Sequence, residues 1–183
     1  MKKAVLVNGV PASGKSSVAR LIADARHWPV LALDTVKEPF FDHLGIGDRE
    51  FNRKLGRASY QAIWSIVRDA PDGMVFIVDA WFGFQPGDVL EHHLERAEVG
   101  ATAELWCHAP PDILVERYRS RLDLRHGGHP GEAFLPELHA LAKRAAPLRR
   151  GPILEVDTTV PANQDRLLEF VDRAIAPVQG RST

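Results

Sequence analysis

One run of eight residues near the start of the chain restricts the possible folds more than any other feature. Gly9-Val10-Pro11-Ala12-Ser13-Gly14-Lys15-Ser16 matches the pattern G-x-x-x-x-G-K-[ST] at every fixed position. The pattern describes a geometry. Glycines let the backbone curl so that successive N–H groups point inward at phosphate oxygens. A helix beginning near Lys15 adds the positive end of its dipole. Lys15 is placed to reach the β- and γ-phosphates of a nucleotide, and the Ser16 hydroxyl to ligate magnesium. The flanks agree with the motif: an apolar strand, Ala4 to Asn8, precedes it, and a helix from Lys15 to about Arg26 follows. Gly9, Pro11, Ala12, Ser13, Gly14, Lys15, Ser16 and Ser17 are therefore the candidate contacts for ATP with Mg2+. Such a loop does not separate a kinase from an ATPase or a GTPase, but the N-K-x-D element of a guanine site is absent.

The rest of the chain reads as short apolar strands separated by amphipathic helices. Val30 to Leu33 is a second strand, ending at Asp34. A helical stretch from about Arg49 to Asp69 carries Phe51, Leu55, Tyr60, Ile63, Trp64 and Val67 on or near one stripe. A turn at Pro71-Asp72-Gly73 leads into Met74 to Val78, a continuous apolar run of the kind buried on both faces, which ends at Asp79. Pro86 and Gly87 open a helix through about Glu98, and Ala101 to Cys107 is a fourth strand. Pro110 and Pro111 precede a helix from about Asp112 to Leu124. A loop at Gly127, Gly128, Pro130 and Gly131 leads to a helix ending near Ala146. Ile153 to Val156 is a fifth strand, Gln164 to Ala174 a last helix, and the residues past Pro177 a loose tail. This alternation predicts an α/β domain with a mostly parallel sheet, one domain across all 183 residues. Ligands of such sheets bind at the carboxyl ends of the strands. The Gly-rich loop, Asp34 and Asp79 all fall there.

Both acids have two readings. Asp34 either accepts the proton of an attacking hydroxyl or caps the helix that starts at Thr35. Asp79, after four apolar residues, either holds magnesium, directly or through water, or closes a turn. Trp81, Phe82 and Phe84 either line an acceptor pocket or pack as core. Phe40, Phe41 and Trp64 are further pocket candidates. Downstream, Arg117, Arg121 and Arg125 are spaced by four and share a face if the helix continues. Arg119 lies off that face, within reach of Glu116 or Asp123. A basic face beside a glycine hinge is either a solvated surface or a lid, spanning about residues 117–135, that closes over ATP. In the lid, the arginines neutralise the transferred phosphoryl group or stack on adenine. Asp157-Thr158-Thr159-Val160-Pro161 is either an adenine contact or a plain turn.

Bulk properties exclude other classes. The formal net charge is −1, so nothing global attracts nucleic acid or an anionic membrane. The first apolar run is too short for a signal peptide or a membrane span, and no later one is long enough. The single cysteine, Cys107, rules out an intrachain disulfide and a cysteine-based zinc site and suits a cytoplasmic location. His126 and His129, without a third ligand, are too few for a metal.

On the phosphate loop at Gly9–Ser16, on Asp34 after the second strand, and on Glu116-Arg117-Tyr118-Arg119-Ser120-Arg121 leading to Arg125-His126-Gly127-Gly128-His129-Pro130, the chain resembles the P-loop kinases of adenylate-kinase-like architecture. Within them it is most similar to the zeta-toxin-like and chloramphenicol-phosphotransferase-like small-molecule kinases. The resemblance implies a five-stranded parallel sheet of order 2-3-1-4-5 and transfer of the γ-phosphoryl group of ATP to an acceptor hydroxyl. It assigns Asp34 as base, Lys15 and Ser16 as phosphate and magnesium contacts, and Arg117, Arg121 and Arg125 to the lid. One departure bears on the acceptor. Nucleoside monophosphate kinases have an Asp-Gly-x-Pro-Arg type of segment after strand three, whereas Asp79-Ala80-Trp81-Phe82-Gly83 lacks the Pro and Arg. That favours a sugar-like, aromatic or antibiotic hydroxyl compound over a phosphate-bearing acceptor. The rival expectations are a nucleoside or nucleotide kinase, a toxin acting on a sugar nucleotide, and a nucleotide-dependent switch with no acceptor.

Overall fold

The computed structural model describes residues 1–176. The tail expected past Pro177 lies outside the described residues. Five strands, β1 (Lys2–Asn8), β2 (Val30–Ala32), β3 (Val75–Ala80), β4 (Val99–His108) and β5 (Ile153–Asp157), form one sheet of order β2-β3-β1-β4-β5. Every neighbouring pair is parallel. The order is the one the resemblance implied.

The apolar runs are continuous because both faces of the sheet are covered. On one face Val5 and Val7 of β1, Ile77 of β3 and Leu105 of β4 pack against α1 (Lys15–Arg26) and α7 (Gln164–Ala174) through Val18, Ile22, Leu167 and Val171. On the other, Ala4, Leu6, Phe76 and Val78 meet Tyr60, Ile63, Trp64 and Val67 of α3 (Arg49–Asp69) and Leu90 of α4 (Gly87–Arg96). Burying each such side chain is worth about 1.5–3 kcal/mol, so β1, covered on both faces, is the least movable element and a fixed base for the loop that follows it. A third cluster, Val10, Leu114, Tyr118, Leu135 and Leu138, joins α5 (Pro111–Arg119) to α6 (Leu135–Arg144) and to the phosphate loop.

Three boundaries differ from expectation. β2 stops at Ala32, and Leu33 already opens α2 (Leu33–Leu44). Asp34 therefore lies in the first turn of a helix. Ala32 occupies the cap position, so the capping role for Asp34 is not realised, although an acid in a first turn still complements the dipole. α5 ends at Arg119, and the chain tightens into a 3₁₀ turn at Leu122–Leu124. Arg117, Arg121 and Arg125 consequently do not share one helix face. The last expected helix before β5 is divided into a 3₁₀ turn, Glu132–Phe134, and α6, with Pro136 in its first turn where a missing N–H is tolerated.

Candidate active site

The phosphate loop starts from a buried polar knot. Asn8, the last residue of β1, donates from Nδ2 to Glu104 Oε1 at 2.7 Å and accepts from the Phe82 N–H at 3.2 Å. Glu104 on β4, 4% exposed, also accepts from the Leu148 and Arg149 amides at 2.9 and 3.1 Å. A buried carboxylate with no ion-pair partner among the described residues is thus satisfied by three N–H groups. The knot ties the loop to the segments after β3 and before β5. Neither residue was singled out in the sequence; the available signal was an acid inside an otherwise apolar strand.

Beyond Asn8 the backbone turns through positive φ at Gly9 (154°), Ala12 (66°) and Gly14 (82°). A Cβ on Gly9 would come closer than 3.0 Å to the Cys107 carbonyl and the Ser13 hydroxyl. Ser13 Oγ is buried without a protein partner. Lys15 Nζ donates to the Val10 carbonyl at 3.1 Å, lying across the loop. A curled run of amides under an ammonium is the arrangement that receives phosphate.

Ser16 Oγ donates to Asp79 Oδ2 at 2.6 Å. Asp79 is in register with Val7 on one side and Ala32 on the other. It is 5% exposed. Burial raises its carboxyl above the usual range, with Lys15 and then the Ser16 hydrogen bond pulling the other way. No group of three or more His, Cys, Asp or Glu able to hold a metal exists among the described residues. A hard cation here would have two protein oxygens and would complete its shell with phosphate and water. A carboxyl whose folded pKa is raised stabilises the fold below that pKa, and this contribution is lost as pH rises through it. Asp79→Asn is therefore expected to raise the melting temperature of the nucleotide-free chain at neutral pH, each kcal/mol being worth about 2–4 °C at this size. Thermal melts of both proteins check this, and an unchanged or lower midpoint would remove the burial account.

A cavity of about 490 Å³ lies beside the loop, lined by Gly14, Ser17, Arg117, Arg121 and the segment Thr158 to Ala162. Its size suits a nucleoside. Arg117 donates to Thr158 Oγ1 at 3.0 Å and to the Thr158 carbonyl at 2.7 Å, while Thr158 Oγ1 donates to the His108 carbonyl at 3.1 Å. Arg117 thereby builds the wall after β5, and the Asp157–Pro161 loop lines this cavity. Arg121 donates to the Arg117 carbonyl at 3.0 Å. Desolvation and the neighbouring arginines lower its pKa.

Arg125 goes elsewhere. Its guanidinium lies 4.6 Å from the Tyr118 ring centroid and 3.7 Å from Asp34 Oδ2. The glycine loop after it sits against α2 and α3. His126 meets Asp42 at 3.0 Å, His129 meets Glu38 at 2.8 Å, Tyr118 donates to the Pro130 carbonyl at 2.6 Å, and Asn52 to the Gly128 carbonyl at 2.5 Å. Phe41, buried, stacks on His126 at 5.3 Å. The structure thus brings Lys15, Ser16 and Asp79 together, places Asp34 with Arg125, and puts Arg117 and Arg121 in the cavity. Arg119 reaches Glu132 at 3.9 Å rather than Glu116 or Asp123. Of the aromatic candidates, Trp64 and Phe82 are core. Trp81 is half-buried beside Trp106, and Phe40 is half-buried. Phe84, partly exposed, sets its edge on Tyr60.

No family model matches the chain, and no curated protein matches it. Solved structures do. A "putative kinase" from Chloroflexus aurantiacus j-10-fl superposes with a TM-score of 0.81 at 27% identity, over 95% of this chain and 98% of that one. A gluconokinase from Sinorhizobium meliloti 1021 gives 0.58 at 24%, over 95% and 90%. Shikimate kinase from Acinetobacter baumannii, in complex with shikimate, gives 0.62 at 14%, over 94% and 93%. At such identities the last two speak for the fold alone. No helix among the described residues is long and apolar enough to cross a membrane.

Proposed function

We propose that the chain is an ATP-dependent phosphotransferase that moves the γ-phosphoryl group to a hydroxyl of a small sugar-like or antibiotic-like molecule. The observation that carries this reading is one of register. Ala32 pairs with Asp79, and Asp34, two residues on, is close enough for its charge to act on Asp79, at the same carboxyl end of the sheet as the phosphate loop. A carboxylate with an arginine beside it suits transfer to an acceptor hydroxyl, the carboxylate taking its proton and the arginine offsetting charge. The neighbour of 27% identity is itself named a "putative kinase", in keeping with this reading.

In this reading the loop amides from Gly9 to Ser17, with Pro11, Ala12 and Ser13 shaping the turn, and Lys15 hold the nucleotide phosphates. Arg117 holds the nucleoside wall. Ser16 and Asp79 fit Mg2+, which supplies charge neutralisation at the phosphates. Asp34 accepts the proton of the acceptor hydroxyl as its oxygen bonds to phosphorus and the bridging bond to the β-phosphate breaks, leaving ADP. Arg121 and Arg125 offset the charge that develops. The whole chain acts as one cytoplasmic domain, with residues 117–135 as the lid.

The test is ADP release with Mg-ATP across sugars, nucleosides, antibiotics and sugar nucleotides. One class is expected to stimulate release, and Lys15→Met to lower the stimulated rate about 10²–10³-fold. Slow hydrolysis that no acceptor accelerates would overturn the kinase reading in favour of a switch; stimulation by nucleosides alone would make the chain a nucleoside kinase.

A further inference from the structure

A buried charge lies next to Asp34 without a role in the chemistry above. Lys37 is one turn further along α2 and 8% exposed. Its ammonium donates to one hydrogen-bond acceptor, the Asn52 side-chain oxygen on α3, and lies 5.1 Å from the Phe41 ring centroid. Among the described residues it forms no ion pair. Asp34 acts on it only at longer range and is itself engaged by Arg125, whose positive charge opposes a second cation nearby. Burial, foremost, lowers the ammonium's pKa. An ammonium carries three N–H donors, so two are left without an acceptor among the described residues.

Such a group is costly. A buried lysine without a counter-charge is disfavoured by several kcal/mol, and an apolar side chain of similar volume is commonly neutral or stabilising in its place. The opposite wall breaks a rule of its own. Gly56 is buried within the 21-residue helix α3, where glycine is about 1 kcal/mol less favourable than alanine. Lys37 Nζ, at 4.0 Å, is what a Cβ there would meet. A helix-weakening residue thus leaves the ammonium without a side chain set against it at this position of α3. Two local rules broken at facing positions, one turn from the proposed base, mark a place that holds something.

We propose that Lys37 is the specificity-determining residue of the acceptor site, and that the acceptor carries, besides its reactive hydroxyl, a carboxylate or phosphate group that takes the two free donors of Lys37 in the space beside Gly56. The proposal rests on the acceptor-binding reading given above. Positions three apart on a helix lie on the same face, so Asp34 and Lys37 can engage one small molecule. Asn52 joins the two ends of the site, since its amide accepts from Lys37 and donates to the Gly128 carbonyl of the glycine loop.

The experiment is calorimetric titration of the full chain, with Mg2+ and a non-hydrolysable ATP analogue, against matched sets of aldoses, aldonates and aldose phosphates. An aldonate or an aldose phosphate is expected to bind at least tenfold more tightly than its parent aldose. The two arms tell a carboxylate from a phosphate. Lys37→Met is expected to weaken that anion at least thirtyfold, leave the aldose unchanged and keep or raise the melting temperature. Gly56→Ala, as a second variant, is expected to raise the melting temperature while weakening the anion severalfold. Equal binding of aldoses and anions, no anion binding, or anion affinity unchanged in Lys37→Met would each overturn the proposal. ADP formation on the same samples separates the two readings. An anion that binds through Lys37 but yields no ADP overturns the kinase and keeps the site, whereas ADP formation on neutral aldoses alone keeps the kinase and overturns the site.

Discussion

Asp34→Asn is expected to lower acceptor-stimulated turnover by about 10²–10⁴-fold, the range for removing a positioned general base, and to leave the affinity for Mg-ATP nearly unchanged. The separation of the two effects comes from the geometry. Asp34 is 61% exposed at its side chain, stands on α2, and does not line the cavity of Arg117 and Thr158. Among the described residues its one ion-pair partner is Arg125 at 3.7 Å. Exposed pairs of this kind contribute about 0–1 kcal/mol, so the variant folds normally and its lost rate is not a lost structure. Single-turnover kinetics with the best acceptor, beside equilibrium binding of a nucleotide analogue, measure the two quantities. A fall below tenfold would remove Asp34 as base, and a matching loss of nucleotide affinity would make it part of the phosphate site.

Gly9→Ala is expected to fail in the opposite way, losing nucleotide binding and stability together. The new Cβ would crowd the Cys107 carbonyl and the Ser13 hydroxyl closer than 3.0 Å. One of these is backbone on a strand fully buried at that position, so it has no room to retreat. Strained backbone contributes about 1–3 kcal/mol and overpacking a similar amount, and the sum is a large part of a typical domain's stability. Denaturant melts and nucleotide titration check this. A variant melting within a degree or two of the parent and binding nucleotide normally would show that the loop relaxes freely, contrary to its anchoring by Asn8.

What the sequence discloses here follows the range of the forces involved. β1, α1, the stripe on α3 and the parallel character of the sheet rest on local motifs and on burial of both sheet faces, and they are legible in the letters, whereas the strand order comes from the family resemblance. The end of α5 is not. Arg117, Arg121 and Arg125 carry helical spacing, but Tyr118 bonds to the Pro130 carbonyl and its ring packs under Arg125. These contacts with the glycine loop outweigh a propensity worth only tenths of a kcal/mol per residue. Asp34 moves from a strand end into a helix for a similar reason, because β2 pairs with β3 at only three positions. The Asn8–Glu104 knot and Lys37 were hidden because each is defined by partners on other elements; an acid inside the apolar β4 is a signal of burial but does not name its partner, and a lone lysine in a helix announces nothing.

The short span from Arg117 to Arg125 has one end fastened to the wall after β5 and the other to the helix that carries Asp34. A single lever of chain therefore reaches both halves of the site. Whatever free energy one ligand spends in moving that lever is felt by the other, and thermodynamic reciprocity makes the factor identical in both directions. Initial-velocity patterns for such an arrangement are those of synergistic or ordered addition, not of two independent sites.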